Sequence, residues 1–212
     1  MAVRVVVITD RTLAGGTDAI ARRVDAMLRA APRGSVMIQI REKDLDGGPL
    51  LALTRAVLEV ARPLQAPVWV NDRVDVALAA GADGVHLPER GMSIGDARAA
   101  ATAVGRSLAV GCSRHTRDAV IAAAGADLVQ YGPVWSTPNK GPAVGVDALA
   151  VRRELPPGTR LVAVGGIDGP ARARHAALSG ADAVAVIRAA WQGGLDVVAR
   201  LVEAVEAGAA AR

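Results

Sequence analysis

The sequence predicts a single-domain (β/α)8 barrel of the TIM type, and three observations predict it. Eight short runs rich in Val, Ile and Leu recur along 212 residues, without the in-out alternation of half-exposed strands, as strands buried on both faces should read. Between them lie stretches rich in Ala, Leu and Arg with helical periodicity. The tripeptide Gly-Ala-Asp returns at 81–83, 125–127 and 180–182, each time where a helix-like stretch gives way to an apolar run.

In chain order the runs are Arg4–Thr9, Ser35–Ile40, Val68–Val70, Gly84–Leu87, Ser107–Val110, Leu128–Tyr131, Arg160–Val164 and Ala183–Ile187. The segments that alternate with them are Thr17–Ala31, Pro49–Ala61, Asp72–Ala80, Ile94–Ala103, Thr116–Ala124, Val146–Glu154, Gly169–Ser179 and a closing Gly194–Ala207. Gly81, Gly125 and Gly180 suit left-handed caps that end helices before the next strand. Asp83, Asp127 and Asp182 follow at the same junction and are expected to satisfy backbone donors there, on the stability face of the barrel. No G-x-G-x-x-G follows the first run, which argues against an open doubly wound sheet. No composition shift divides residues 1–212 into two domains.

Composition narrows the function classes. A net charge of +4 suits a phosphorylated small molecule, but Phe is absent and there is one Tyr, so a base-stacking platform for nucleic acid lacks its residues. The lone Cys112 excludes an internal disulfide and points to a reducing compartment. The chain enters Arg4–Thr9 too early for a signal peptide, and no apolar run reaches membrane-span length, so a soluble cytoplasmic protein is expected, with no membrane partner.

In parallel α/β barrels ligands bind where strands end at their carboxyl side. There the second run delivers Gln39, Arg41, Glu42 and Lys43, the third Asn71 and Asp72, and the fourth His86, Glu89 and Arg90. The fifth is followed by Ser113, Arg114 and His115, the sixth by Thr137, Asn139 and Lys140, the seventh by Gly165-Gly166, and the eighth by Ile187-Arg188. Arg41, Lys43, Lys140 and Arg188 would form a cationic rim able to hold more than one phosphate. Glycine-rich backbone after the seventh strand is where many such barrels bind phosphate through N–H groups.

The segments Gln39-Ile40-Arg41-Glu42-Lys43, Val70-Asn71-Asp72-Arg73, Gly84-Val85-His86-Leu87, Gly111-Cys112-Ser113, the run from Gly132 to Lys140, and Val164-Gly165-Gly166-Ile167 resemble, in order, thiamine phosphate synthase and its TenI-like relatives. The resemblance implies a transferase of thiamine biosynthesis, joining hydroxymethylpyrimidine pyrophosphate to thiazole phosphate with release of pyrophosphate. It implies that Gln39, Arg41, Lys43, Asn71, Ser113 and Lys140 hold the pyrimidine and its pyrophosphate. It implies Mg2+ on Asp72, and a thiazole phosphate facing Thr137, Asn139, Gly166, Ile187 and Arg188.

The chain departs from that pattern at named positions. Where the family carries a second Mg2+ carboxylate this chain has Gly91, which leaves Glu89, two residues earlier, as the nearest acidic substitute. Arg188 stands where the family usually has Ser. A metal-independent TenI-like thiazole tautomerase is a second reading, and its pattern has a His where this chain has Pro133. A non-catalytic barrel that binds a thiazole or pyrimidine phosphate is a third.

Several residues also have simple structural readings. His86 inside an apolar run reads as a buried, hydrogen-bonded ring, and His175 as surface. Cys112 and Trp69 read as core, Tyr131 as a packed strand end, and Trp135 as pocket lining. His115 reads as a site residue or a helix cap, and the pairs Arg22-Arg23 and Arg152-Arg153 as solvated charge.

Overall fold

A computed structural model describes residues 2–123, 125–138 and 140–212. The strands are β1 Val5–Ile8, β2 Val36–Ile40, β3 Val68–Asn71, β4 Gly84–Leu87, β5 Ala109–Arg114, β6 Leu128–Tyr131, β7 Arg160–Val164 and β8 Ala183–Val186. They pair in sequence order, all parallel, and β8 closes on β1. The helices are α1 Arg11–Ala14, α2 Thr17–Ala30, α3 Gly47–Ala61, α4 Val74–Ala80, α5 Ile94–Ala103, α6 Arg117–Ala122, α7 Pro170–Leu178, α8 Arg188–Gln192 and α9 Val197–Ala209.

Each strand buries both faces, which explains the missing alternation. On β1, Val5 and Val7 pack outward against the helix layer, while Val6 and Ile8 join Met37, Trp69, Leu128 and Val162 inside the barrel. Trp69 fills that interior because β4 and β5 offer glycine opposite it. A Cβ on Gly84 would lie 2.5 Å from the indole, and one on Gly111 2.6 Å.

All three Gly-Ala-Asp junctions fold alike. The glycines have positive φ (73°, 103° and 131°), a conformation that costs a side chain strain. The aspartates then grip the first residues of the preceding strand at two points. Asp83 donates its N–H to Val68 O and accepts Val68 N–H on its carboxylate, at 2.9 and 2.8 Å. Asp127 does the same with Val110, and Asp182 with Leu161. These acids lie at the end of the barrel opposite the polar strand termini, in the structural role the repeat predicts.

Three expectations are corrected. The fifth strand runs over Ala109–Arg114 rather than Ser107–Val110. Gly111 and the polar Ser113-Arg114 read as loop, yet the glycine makes room for Trp69 and the polar end of the strand faces the barrel mouth. Val146–Glu154 is not an α-helix but a 3₁₀ turn over Asp147–Glu154. Arg23 and Arg152 are not solvated: Arg23 donates to Leu13 O and Trp191 O, and Arg152 pairs with Asp182 at 2.5 Å. The short α1 and α8, and a 3₁₀ turn over Arg62–Leu64, lie in segments too brief to show helical periodicity. Among the described residues no helix is long and apolar enough to cross a membrane.

Candidate active site

The carboxyl ends of the strands enclose a cavity of about 1110 Å³. Typical small-molecule pockets are about 300–1,000 Å³, so it has room for two modest substrates. The structure brings together in its lining every predicted site residue that it describes: Gln39, Arg41, Lys43, Asn71, Asp72, Glu89, Ser113, Thr137, Lys140, Gly166, Ile187 and Arg188. Asn139 lies outside the described residues.

The floor is built from strand residues whose side chains turn inward. Gln130 on β6 donates its Nε2 to Gln39 Oε1 at 2.6 Å, and Gln39 donates its Nε2 to Asn71 Oδ1 at 3.3 Å. Beside them His86 Nε2 lies 2.8 Å from Ser113 Oγ, while its buried Nδ1 has no partner among the described residues. Burial first, then the charges of Arg114 and Arg41, push the His86 pKa down to about 3, so the ring is neutral. Gln130 is a lining residue that sequence reasoning missed. Its signal was available, since Leu128 faces the interior and a strand repeats every second residue.

The rim carries the charge. Arg41 leaves the end of β2 with its backbone N–H held by Thr9 Oγ1 at 2.9 Å, and Lys43 follows. Lys140 approaches from the loop after β6; burial, then repulsion by Arg41 and Lys43, lowers its pKa from the ordinary lysine value. That is the signature of cations gathered before their counter-ion arrives. Glu42, between Arg41 and Lys43, also lines the cavity; its Oε2 accepts the Arg11 N–H at 3.2 Å, while its buried Oε1 has no partner among the described residues. Arg73, just before α4, and Arg172 on α7 also border the cavity, and neither was assigned a role from the sequence.

One corner is shaped by backbone. Gly165 and Gly166 after β7 have φ of 97° and 71°. A Cβ on Gly165 would meet Pro133 at 2.6 Å, and one on Gly166 would meet Trp135 at 2.6 Å. Glycine is required on both counts, and its bare backbone lines the cavity. Trp135 is not pocket lining as expected. It packs behind Gly166, with the Arg172 guanidinium 5.5 Å from its ring centre.

Asp72 and Glu89 line the cavity after β3 and β4. Asp72 takes a left-handed conformation (φ 67°) directly after β3, its N–H bound to His86 O at 2.9 Å. Gly91 lies beside it: a Cβ there would be 3.2 Å from Asp72 Oδ1. Position 91 thus adjoins the Asp72 carboxylate in space as well as in the pattern, but brings no ligand. Glu89 Oε1 accepts the His115 N–H at 3.3 Å. His115 itself caps nothing by its ring, whose Nδ1 bonds Gly132 O at 2.6 Å; Thr116 caps α6 instead. Among the described residues no group of three or more His, Cys, Asp or Glu converges on a metal position. A single carboxylate is still compatible with Mg2+, which keeps waters and shares substrate phosphates with one or two acids.

Known proteins bear on this geometry. A family model described as thiamine monophosphate synthase matches residues 5–190. The putative thiamine-phosphate synthase of Geobacter sulfurreducens is 45% identical over 147 residues, covering 68% of this chain and 66% of that protein. The thiamine-phosphate synthase of Methanoculleus marisnigri is 39% identical over 169 residues, covering 76% and 75%. In structure, the thiamine phosphate pyrophosphorylase of Pyrococcus furiosus superposes with a TM-score of 0.84 at 28% identity, over 97% of this chain and 96% of that one.

Proposed function

We propose, from the premise that the chain belongs to the thiamine monophosphate synthase family, that it joins hydroxymethylpyrimidine pyrophosphate to thiazole phosphate and releases pyrophosphate. The observation that carries the reading is one cavity lined both by Arg41, Lys43 and Lys140 and by the Gly165-Gly166 backbone. That is two anion positions, one for a leaving group and one for a second substrate's anchor.

The chemistry follows from charge. The bond between the pyrimidine methylene carbon and the pyrophosphate oxygen breaks with its electron pair on oxygen. The thiazole nitrogen then gives its lone pair to that carbon. No proton needs to move for either event, so the requirement is cations set in place beforehand and two substrates held in line. Arg41, Lys43 and Lys140 stabilise the departing charge, Asn71 and Ser113 donate hydrogen bonds to it, and Gln39 orients the pyrimidine. Thr137, Gly166, Ile187 and Arg188 hold the thiazole phosphate. When bound, Mg2+ would neutralise pyrophosphate oxygens, held by Asp72 with Glu89 as the adjacent acid. The lone, buried Cys112 and phosphorylated substrates support a cytoplasmic setting.

Supplying both phosphorylated substrates with and without Mg2+ tests the reading, with thiamine phosphate and pyrophosphate measured as products. Product is expected, and Lys140→Ala should lower its rate by about 10²–10³-fold, the usual effect of losing one preorganised charge contact. By contrast Arg152→Ala, at the far end of the barrel, should leave the rate within a few fold. No product at any Mg2+ concentration sinks the synthase reading. The thin acid corner favours one alternative, a metal-independent tautomerase, which conversion of thiazole carboxylate tautomers in chelator would identify.

A further inference from the structure

Gln130 is buried to 3% exposure on β6 and reaches across the barrel to a residue 91 positions away, yet no part of the chemistry above uses it. Its contact has a direction. An amide is a donor at nitrogen and an acceptor at oxygen, so a chain of amides transmits orientation from one end to the other. Gln130 Nε2 occupies Gln39 Oε1, which leaves Gln39 its nitrogen to give to Asn71 Oδ1. Asn71 Oδ1 is thereby turned toward Gln39, and its Nδ2 has no partner among the described residues. The free end of the relay, at the cavity wall beside Asp72, is a donor.

We propose that Gln130 is a positioning residue that sets the polarity of this relay, so that Asn71 meets the pyrophosphate with an N–H and not with a carbonyl. The inference rests on the synthase reading for its anionic ligand. The polarity matters because an amide oxygen turned toward a phosphate repels it, whereas an N–H makes a charge-assisted bond. The 3.3 Å link between Gln39 and Asn71 is long enough that Asn71 alone would not hold Gln39 in one orientation. The 2.6 Å link to Gln130 is the one that decides.

Two substitutions of similar size separate polarity from packing. Gln130→Met removes the donor and leaves Gln39 free to choose. When ionised, Gln130→Glu offers only acceptors, so Gln39 must turn its nitrogen to it, present oxygen to Asn71, and leave Asn71 with oxygen at the cavity. Each variant would be titrated with inorganic pyrophosphate and assayed with both substrates, alongside a thermal unfolding scan. For Gln130→Glu the expected result is about tenfold or greater weakening of pyrophosphate binding, as for loss of a hydrogen bond to a charged group. The KM for the pyrimidine pyrophosphate should rise in parallel while the KM for thiazole phosphate stays within twofold, and Gln130→Met should fall between Gln130→Glu and wild type. Equal pyrophosphate affinity in wild type and Gln130→Glu overturns the proposal. So does an equal rise in both KM values, which would mark a merely structural role. Wild-type protein that binds pyrophosphate but forms no thiamine phosphate would sink the synthase activity instead, and the titration would still judge the relay.

Discussion

His86 illustrates how much of this site is decided at single residues. Its ring lies under the cavity with Nε2 on Ser113 Oγ at 2.8 Å and Nδ1 against Gly111, where an added Cβ would come within 3.1 Å. A buried N–H without a partner is rarer than a bare acceptor, so the proton belongs on Nε2, and Ser113 is left to donate into the cavity. The lowered pKa has a stability consequence with a definite sign. The unfolded ring titrates at 6.5 and the folded one at about 3, so between those values the unfolded chain binds a proton that the native state refuses. Stability is therefore complete above pH 6.5 and is lost as pH falls toward about 3, at up to ~1.4 kcal/mol per pH unit. His86→Gln keeps an N–H at the Nε2 position and has nothing to protonate. Denaturant unfolding across that pH window should show a shallower dependence in His86→Gln than in wild type, and an identical slope would refute the assignment. The sequence made His86 legible as a buried histidine, but not its partner. Ser113 is 27 residues away, and only the β4–β5 pairing sets them side by side.

At the scale of elements, the turn from Leu87 to Gly91 shapes the space beside Asp72. Its Gly91 N–H bonds Pro88 O at 3.0 Å, and the Pro88 ring folds over the place where a side chain at 91 would begin. An added Cβ would sit 2.8 Å from Pro88 Cγ and Cδ, a clash with a rigid ring rather than with a flexible chain end. Restoring a carboxylate by Gly91→Asp alone is therefore expected to distort the turn and yield little. The double variant Pro88→Gly with Gly91→Asp removes the ring and should strengthen Mg2+ binding on the order of tenfold, since ligand charge count tunes such sites. Calorimetric titration of Mg2+ into both variants checks it. A single variant that binds as tightly as the double would show that the turn imposes no such constraint. The proline and the glycine belong together, and a sequence pattern that compares position 91 alone overlooks the pair. The same element-scale blindness misplaced β5, because Gly111 and Ser113 have loop-like composition and strand-like surroundings.

The whole molecule is a closed barrel whose two ends do different work. One end is clamped by Asp83, Asp127 and Asp182 and the other is open and cationic. Between them Trp69 plugs the interior, packed where β4 and β5 carry no side chains. Gly84→Ala places a methyl group 2.5 Å from the indole, inside a ring of strands that cannot spread. Overpacking of this kind costs about 1–3 kcal/mol. Urea unfolding followed by tryptophan fluorescence should show a lower midpoint with an unchanged slope, and an unshifted midpoint would mean the plug is not tightly held.

What the sequence determined by itself is whatever repeats or is local. Apolar runs with no alternation require strands covered on both faces, helical stretches between them require parallel crossovers, and the Gly-Ala-Asp junctions mark one end of every second strand. Those constraints leave a barrel and name the rim where polar residues collect. What only the tertiary structure decided are relations between residues far apart in the chain: Gln130 with Gln39, His86 with Ser113, Trp69 with Gly84 and Gly111, Pro88 with the space at Gly91. Hydrogen-bond direction and van der Waals exclusion act over a few ångströms, and only closure of the barrel sets which residues stand that close.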